Sequence, residues 1–139
     1  MSVEQNKQTL LRVIDEVWNK GDYSGVSEHI APGYVYHSPF GEFKGPEGFK
    51  QFVSITRNAF PDIWMKSDNM VGEGDTVAAV LSWGGTFRGK FGDIEPTGKG
   101  VKMTAAYFFR FENGKEIDAL PFSDTASLYQ QMGIKPPVV

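Results

Sequence analysis

The spacing of apolar positions changes partway along the chain, from a helical period to an alternating one, and the change divides it into two regions. Near the start, Leu10, Leu11, Ile14, Val17 and Trp18 recur on one helical face. Ser2 and Gln5 precede them at the spacing of a capping box, in which two side chains satisfy free backbone donors reciprocally. Gly21 ends this helix, and Asp22 is placed to cap a short second one carrying Val26 and Ile30. Residues 33–38 (GYVYHS) read as a strand. Pro46 suits the first turn of a third helix, whose buried face is Phe49, Phe52, Val53, Thr56 and Phe60 and which Pro61 stops.

Beyond Pro61 the strand period takes over. Gly72-Glu73-Gly74 reads as a hairpin turn, and residues 76–83 alternate, with Val77, Ala79, Leu81 and Trp83 on one side. Residues 101–112 and 115–123 flank Asn113-Gly114, a strong signal for a two-residue hairpin. Asp124 is positioned to cap a last helix carrying Leu128 and Met132, and Pro136-Pro137 close the chain. Helices followed by antiparallel strands predict an α+β fold, with one domain over residues 1–139.

The hairpin also predicts which side chains share a face. A regular register from Glu112 opposite Lys115 sets Tyr107 against Leu120, Ala105 against Phe122 and Met103 against Asp124. One face then holds Met103, Tyr107, Phe109, Phe111, Asp118, Leu120, Phe122 and Asp124, and the helices are expected to cover it. Lys102, Arg110, Ile117 and Ala119 fall on the other. A bulge near Pro121 would move the far end by one residue.

Composition narrows the function classes. A charge of −3 and the absence of a Lys/Arg cluster argue against nucleic acid as a partner. No apolar run approaches the ~20 residues of a membrane span, and the polar start lacks a signal-peptide core, so a cytoplasmic protein is expected. The absence of cysteine excludes disulfide and thiolate chemistry. Eleven Phe and three Trp suggest apolar surface around a cavity or an interface. His29 and His37 are too few for a histidine-rich metal site, and nucleotide, P-loop and nucleophile-elbow motifs are absent. The expectation is acid–base chemistry with no metal and no cofactor.

Asp124 is the first candidate for that chemistry, because an apolar pocket raises a carboxyl pKa and makes a better base; the alternative is a simple helix cap. His37, before a proline at a strand end, is a candidate at the pocket mouth. Tyr34, Tyr36 and Tyr107 can each present a hydroxyl to a carbonyl oxygen, the alternative being a buried tyrosine bonded to backbone, and Trp83, Met103, Leu120 and Phe122 are the candidate apolar lining.

Several segments in series carry a resemblance: EVWNKGD at 16–22, KGPEGF at 44–49, AFPDI at 59–63 and EGDTVAAV at 73–80. GTFRGKFGDIEPTGKGV at 85–101, FRFENGK at 109–115, Asp124 and QQMG at 130–133 complete it. The chain resembles the SnoaL-like polyketide cyclase (ester cyclase) family of the nuclear transport factor and ketosteroid isomerase superfamily. The resemblance implies a cone-shaped, strongly curved antiparallel sheet wrapped around three helices, and a homodimer or homotetramer. It implies a cofactor-independent intramolecular aldol condensation on a small apolar carbonyl or ester compound, with Asp124 as general acid/base. The chain departs from the family pattern where relatives commonly carry histidine at Phe87 and His-Trp at Ala119-Leu120. Phe87 thereby becomes a candidate contact for a more hydrophobic substrate. Ser38 stands where ketosteroid isomerases place their aspartate. The alternatives are a non-catalytic small-molecule-binding module of the same fold, and a dehydratase or an epoxide hydrolase using an Asp-Arg-Asp network.

Overall fold

A computed structural model describes residues 2–135; Pro136-Pro137 lie outside the described residues. Ser2 and Gln5 form the expected capping box and start α1, Val3–Arg12, which continues as a π-helical stretch, Val13–Asn19. Leu10, Val13, Ile14, Val17 and Trp18 bury one face, while Leu11 turns outward. Asp22 does not cap the second helix: its carboxylate accepts from the Ser24 backbone and hydroxyl in a tight turn. The second helix, α2, is only Val26–His29, and Ile30 opens strand β1, Ile30–Ser38. A short strand that the periodicity does not predict, β2 (Gly41–Lys44), folds back on β1. The long helix α3, Gly45–Ala59, carries a proline in its first turn and buries Phe49, Phe52, Val53 and Thr56.

The remaining strands are β3 (Trp64–Glu73), β4 (Thr76–Thr86), β5 (Gly100–Glu112) and β6 (Lys115–Phe122), and α4 (Thr125–Met132) follows. They form one curved sheet in the order β2-β1-β6-β5-β4-β3, with β1 and β6 parallel and the other neighbours antiparallel. Val77, Ala79 and Leu81 of β4 and the alternate residues Val101 to Phe111 of β5 face the helices and form the core.

Asn113 and Gly114 take the positive φ angles of the expected two-residue turn, and Glu112 pairs with Lys115. The register then breaks sooner than expected. Phe111 pairs with Glu116 but Arg110 pairs with Asp118, so Ile117 is an extra residue in β6. Because side chains alternate, this bulge turns everything beyond it over. Tyr107 therefore faces Pro121 rather than Leu120, and Phe122 pairs with Ala106 rather than Ala105. Ala119 moves to the buried side; Asp118, Leu120 and Phe122 move to the outer face.

The segment after β4 is a tight connection rather than a loose loop. Backbone hydrogen bonds cross it, the Phe87 N–H donating to the Lys99 carbonyl and the Gly98 N–H to the Phe87 carbonyl. A side chain at Gly89 would meet the Asn58 carbonyl oxygen at 2.1 Å, so glycine is required by close approach. The Thr97 hydroxyl donates to the Met132 carbonyl and ties the connection to the end of α4.

Candidate functional site

Two cavities lie in series inside the cone. The entrance cavity, of about 70 Å³, opens between the β1–β2 turn, the start of α4 and the edges of β3 and β4. Its walls are aromatic and aliphatic, including Trp18, Phe52, Met65 and Trp83, with Phe40 at the rim against Phe91 and Tyr129. The deep cavity, of about 20 Å³, is closed by α1, α3 and the inner faces of β1, β4, β5 and β6. Trp18, Met65, Tyr36 and Tyr107 line both, so the two tyrosines stand at the junction.

Their hydroxyls are 3.1 Å apart and hydrogen-bonded. Burial first, and the mutual interaction second, raise the Tyr36 pKa well above its ordinary value; burial raises that of Tyr107. Both hydroxyls therefore stay protonated. One hydrogen serves the bond between them, and the second hydroxyl's hydrogen remains for another acceptor.

Two further polar side chains face the deep cavity. Tyr34, on the same face of β1 as Tyr36, has a hydroxyl with no hydrogen-bond partner among the described residues. Glu116 is 1% exposed, and its Oε2 likewise has none. Burial pushes the Glu116 carboxyl up to about 8, so it is neutral over the ordinary working range. Sequence reasoning missed Glu116, although parity alone puts it on the inner face in either register.

The structure sorts the sequence candidates into three groups. Tyr36, Tyr107 and Trp83 line the entrance cavity, as expected. Phe87 and Met103 are buried but stand behind the wall: Phe87 packs on Phe60, which packs on Trp83, and Met103 Sδ accepts from the Gln131 amide. His37, Leu120 and Phe122 are on the outer face of the sheet. Alternation from Tyr36 turns His37 outward, where it bonds Glu42 and Asp118 at 2.8 Å each; the bulge at Ile117 turns out the other two.

Asp124 is exposed, and its Oδ1 accepts the Ser127 N–H at 3.0 Å as the cap of α4. Its neighbours Ser123 and Thr125 line the entrance cavity instead. Arg110 is exposed between buried Phe109 and Phe111, so the cavity walls supply no arginine for an Asp-Arg-Asp network. Among the described residues no group of three or more His, Asp or Glu side chains is arranged to hold a metal ion. Nor is any helix among them long and apolar enough to cross a membrane.

Solved structures with the same architecture include a protein from Jannaschia sp. CCS1 designated a SnoaL-like polyketide cyclase. It is 26% identical, with 96% of this chain and 94% of that one covered and a TM-score of 0.84. A protein designated a polyketide cyclase from Acidithiobacillus ferrooxidans is 26% identical over 96% and 98% of the two chains, with a TM-score of 0.78. AclR from Streptomyces galilaeus, designated a hydroxylase, is 26% identical over 99% and 91%, with a TM-score of 0.79. No protein of curated function matches the chain in sequence. The SnoaL-like polyketide cyclase family model matches residues 8–132, nearly the whole described chain, and the protein belongs to that family.

Proposed function

We propose that the protein takes a small apolar carbonyl or ester compound into the cone and acts on it by cofactor-independent acid–base chemistry of the ring-closing, aldol type. The observation that carries this reading is the Tyr36–Tyr107 hydroxyl pair at the inner end of a largely apolar cavity. A carbonyl oxygen placed there receives the pair's remaining hydrogen. That hydrogen bond strengthens as a base, the Asp124 carboxylate in the role the resemblance implies, takes a proton from the adjacent carbon and negative charge builds on the oxygen. The enolate carbon then bonds to a ketone carbon of the same molecule, and the new alkoxide takes up a proton. The apolar walls exclude water and fold the chain for attack.

The test uses methyl levulinate in deuterated buffer, with NMR following exchange at the carbons beside the ketone. Acceleration over buffer, reduced about a hundredfold in Tyr36→Phe or Tyr107→Phe, supports the reading. No acceleration despite binding sinks it and leaves a second reading, a binding module without catalysis. That second reading is favoured by the outward position of Asp124. An Asp124→Asn arm decides the role the family resemblance implies: loss of exchange makes Asp124 the base, and unchanged exchange removes it from the chemistry. The expected second copy of the chain has a candidate seat on the outer sheet face, where Phe108, Leu120 and Phe122 are 50%, 39% and 56% exposed. Light scattering of wild type and Phe122→Lys reads that directly.

A further inference from the structure

The deep cavity combines two features that packing alone does not explain. Glu116 and Tyr34 are both almost fully buried, both face the same enclosed space, and each leaves an oxygen without a partner among the described residues. Leaving buried polar atoms unpaired is unfavourable, and an apolar residue at either site would avoid that cost. The cavity's remaining walls are hydrocarbon and aromatic, from residues such as Leu10, Ile14 and Phe49. At about 20 Å³ it holds about one oxygen function, not a ring. The two side chains are close enough for the charge on Glu116 to affect Tyr34, yet they do not bond each other.

We propose that Glu116 and Tyr34 form a second oxygen-binding site at the floor of the cone, each donating a hydrogen bond to one carbonyl or hydroxyl oxygen at the leading end of the ligand. A second oxygen of the same molecule then lies at the Tyr36–Tyr107 pair, which shares walls with both cavities. The ligand class is therefore a slender apolar chain carrying oxygen functions at two depths, rather than a hydrocarbon with a single polar end. A neutral carboxylic acid serves as a donor here because it has a hydrogen to give and brings no net charge into an apolar site. Specificity follows: a ligand with a methylene in place of the leading carbonyl leaves both donors unpaired and binds worse. This assignment rests on the reading of the cone as a carbonyl-compound site, but it concerns binding and not turnover.

The experiment compares methyl levulinate, its ester carbonyl leading and its ketone at the tyrosine pair, with heptan-2-one, which keeps the ketone and has hydrocarbon in place of the ester. Binding is followed by quenching of Trp18 and Trp83, which line the entrance cavity. Wild type is expected to prefer methyl levulinate by about tenfold, and Glu116→Leu and Tyr34→Phe to lose the preference. The pH arm needs no variant. Ionised Glu116 has no hydrogen to donate, so the preference falls from about tenfold to about twofold one pH unit above its titration midpoint. Glu116→Gln, which keeps an N–H donor, holds the preference at all pH values. A preference that survives Glu116→Leu, or is unchanged across the titration of Glu116, overturns the assignment, as does equal binding of the two ketones. Binding with the expected preference but without carbon-bound proton exchange leaves this site standing and removes the catalytic reading alone.

Discussion

The sheet carries a polar cluster on each face of β1 and β6, and the two clusters are built in opposite ways. On the outer face, His37 sits between Glu42 and Asp118 with both ring nitrogens bonded, and its side chain is 34% exposed. On the inner face, Glu116 Oε2 and the Tyr34 hydroxyl have no partner among the described residues and are closed off from solvent. The outer cluster is complete within the chain, so its geometry needs no ligand to account for it. The inner one is incomplete, and completing it requires something that enters the cone. Identity of side chain does not separate a structural cluster from a binding one here; hydrogen-bond satisfaction does.

Replacing Glu116 tests the contrast hardest. Its folded-state pKa of about 8 lies above the ordinary 4.5, so the folded protein holds a proton that the unfolded chain releases. The resulting stability is fully present below the unfolded value and is lost as pH rises through about 8. The loss across that window is on the order of 5 kcal/mol. Urea midpoints measured at acid and alkaline pH should show this slope in wild type and not in Glu116→Gln. A wild-type slope equal to that of the variant would mean that Glu116 titrates normally. Tyr34→Phe comes next in size. Removing an unpaired buried hydroxyl should raise stability by about 1–3 kcal/mol while weakening methyl levulinate. Destabilisation by the same substitution would show that the hydroxyl already has a partner.

The contrast also shows where the sequence stopped being legible. The helical faces, the capping box, the Asn113-Gly114 turn and the alternation of β5 were all readable because each is a local pattern set by period or by backbone φ. The face assignment in β6 was not, because it turned on one extra residue. Nothing around Ile117 distinguishes a bulged strand from a regular one: Ile117, Leu120 and Phe122 are apolar yet sit partly or largely exposed. Pro121, which lacks a ladder donor in an interior strand, drew attention to the wrong end of β6. Tyr107 and Trp83 were found because aromatic residues on predicted inner faces belong inside, and Tyr36 because its hydroxyl can serve a carbonyl oxygen. Glu116 was missed although parity puts it on the inner face, because alternation assigns a face and not how far a carboxylate on that face is enclosed.

Asp124 marks a smaller difference, between a carboxylate in the cavity wall and one beside it. As the cap of α4 it satisfies the Ser127 N–H, so Asp124→Ala should cost about 1 kcal/mol, and Asp124→Asn, another good cap, almost nothing. Thermal melts of the two variants measure this. Equal losses for both would indicate that its charge, not its capping bond, matters.

The smallest expected effect belongs to the outer cluster, and its sign is instructive. The hydrogen bond to Asp118 above all, with Glu42 adding to it, raises the His37 pKa from its ordinary value of 6.5. The stability this brings is present below that value and lost as pH rises through the raised one. His37→Gln should therefore cost less than about 1 kcal/mol at about pH 5 and progressively less toward alkaline pH, because a partly exposed pair is screened by water. Both clusters thus lose stability in the same direction, for opposite reasons: the histidine gains partners for its charged form, and the glutamate has none for its own. Urea midpoints of His37→Gln and Glu116→Gln over one pH series separate them by size and by window. A His37→Gln effect as large as that of Glu116→Gln would show the outer cluster to be as strongly desolvated as the inner one, and satisfaction would then no longer distinguish the two faces.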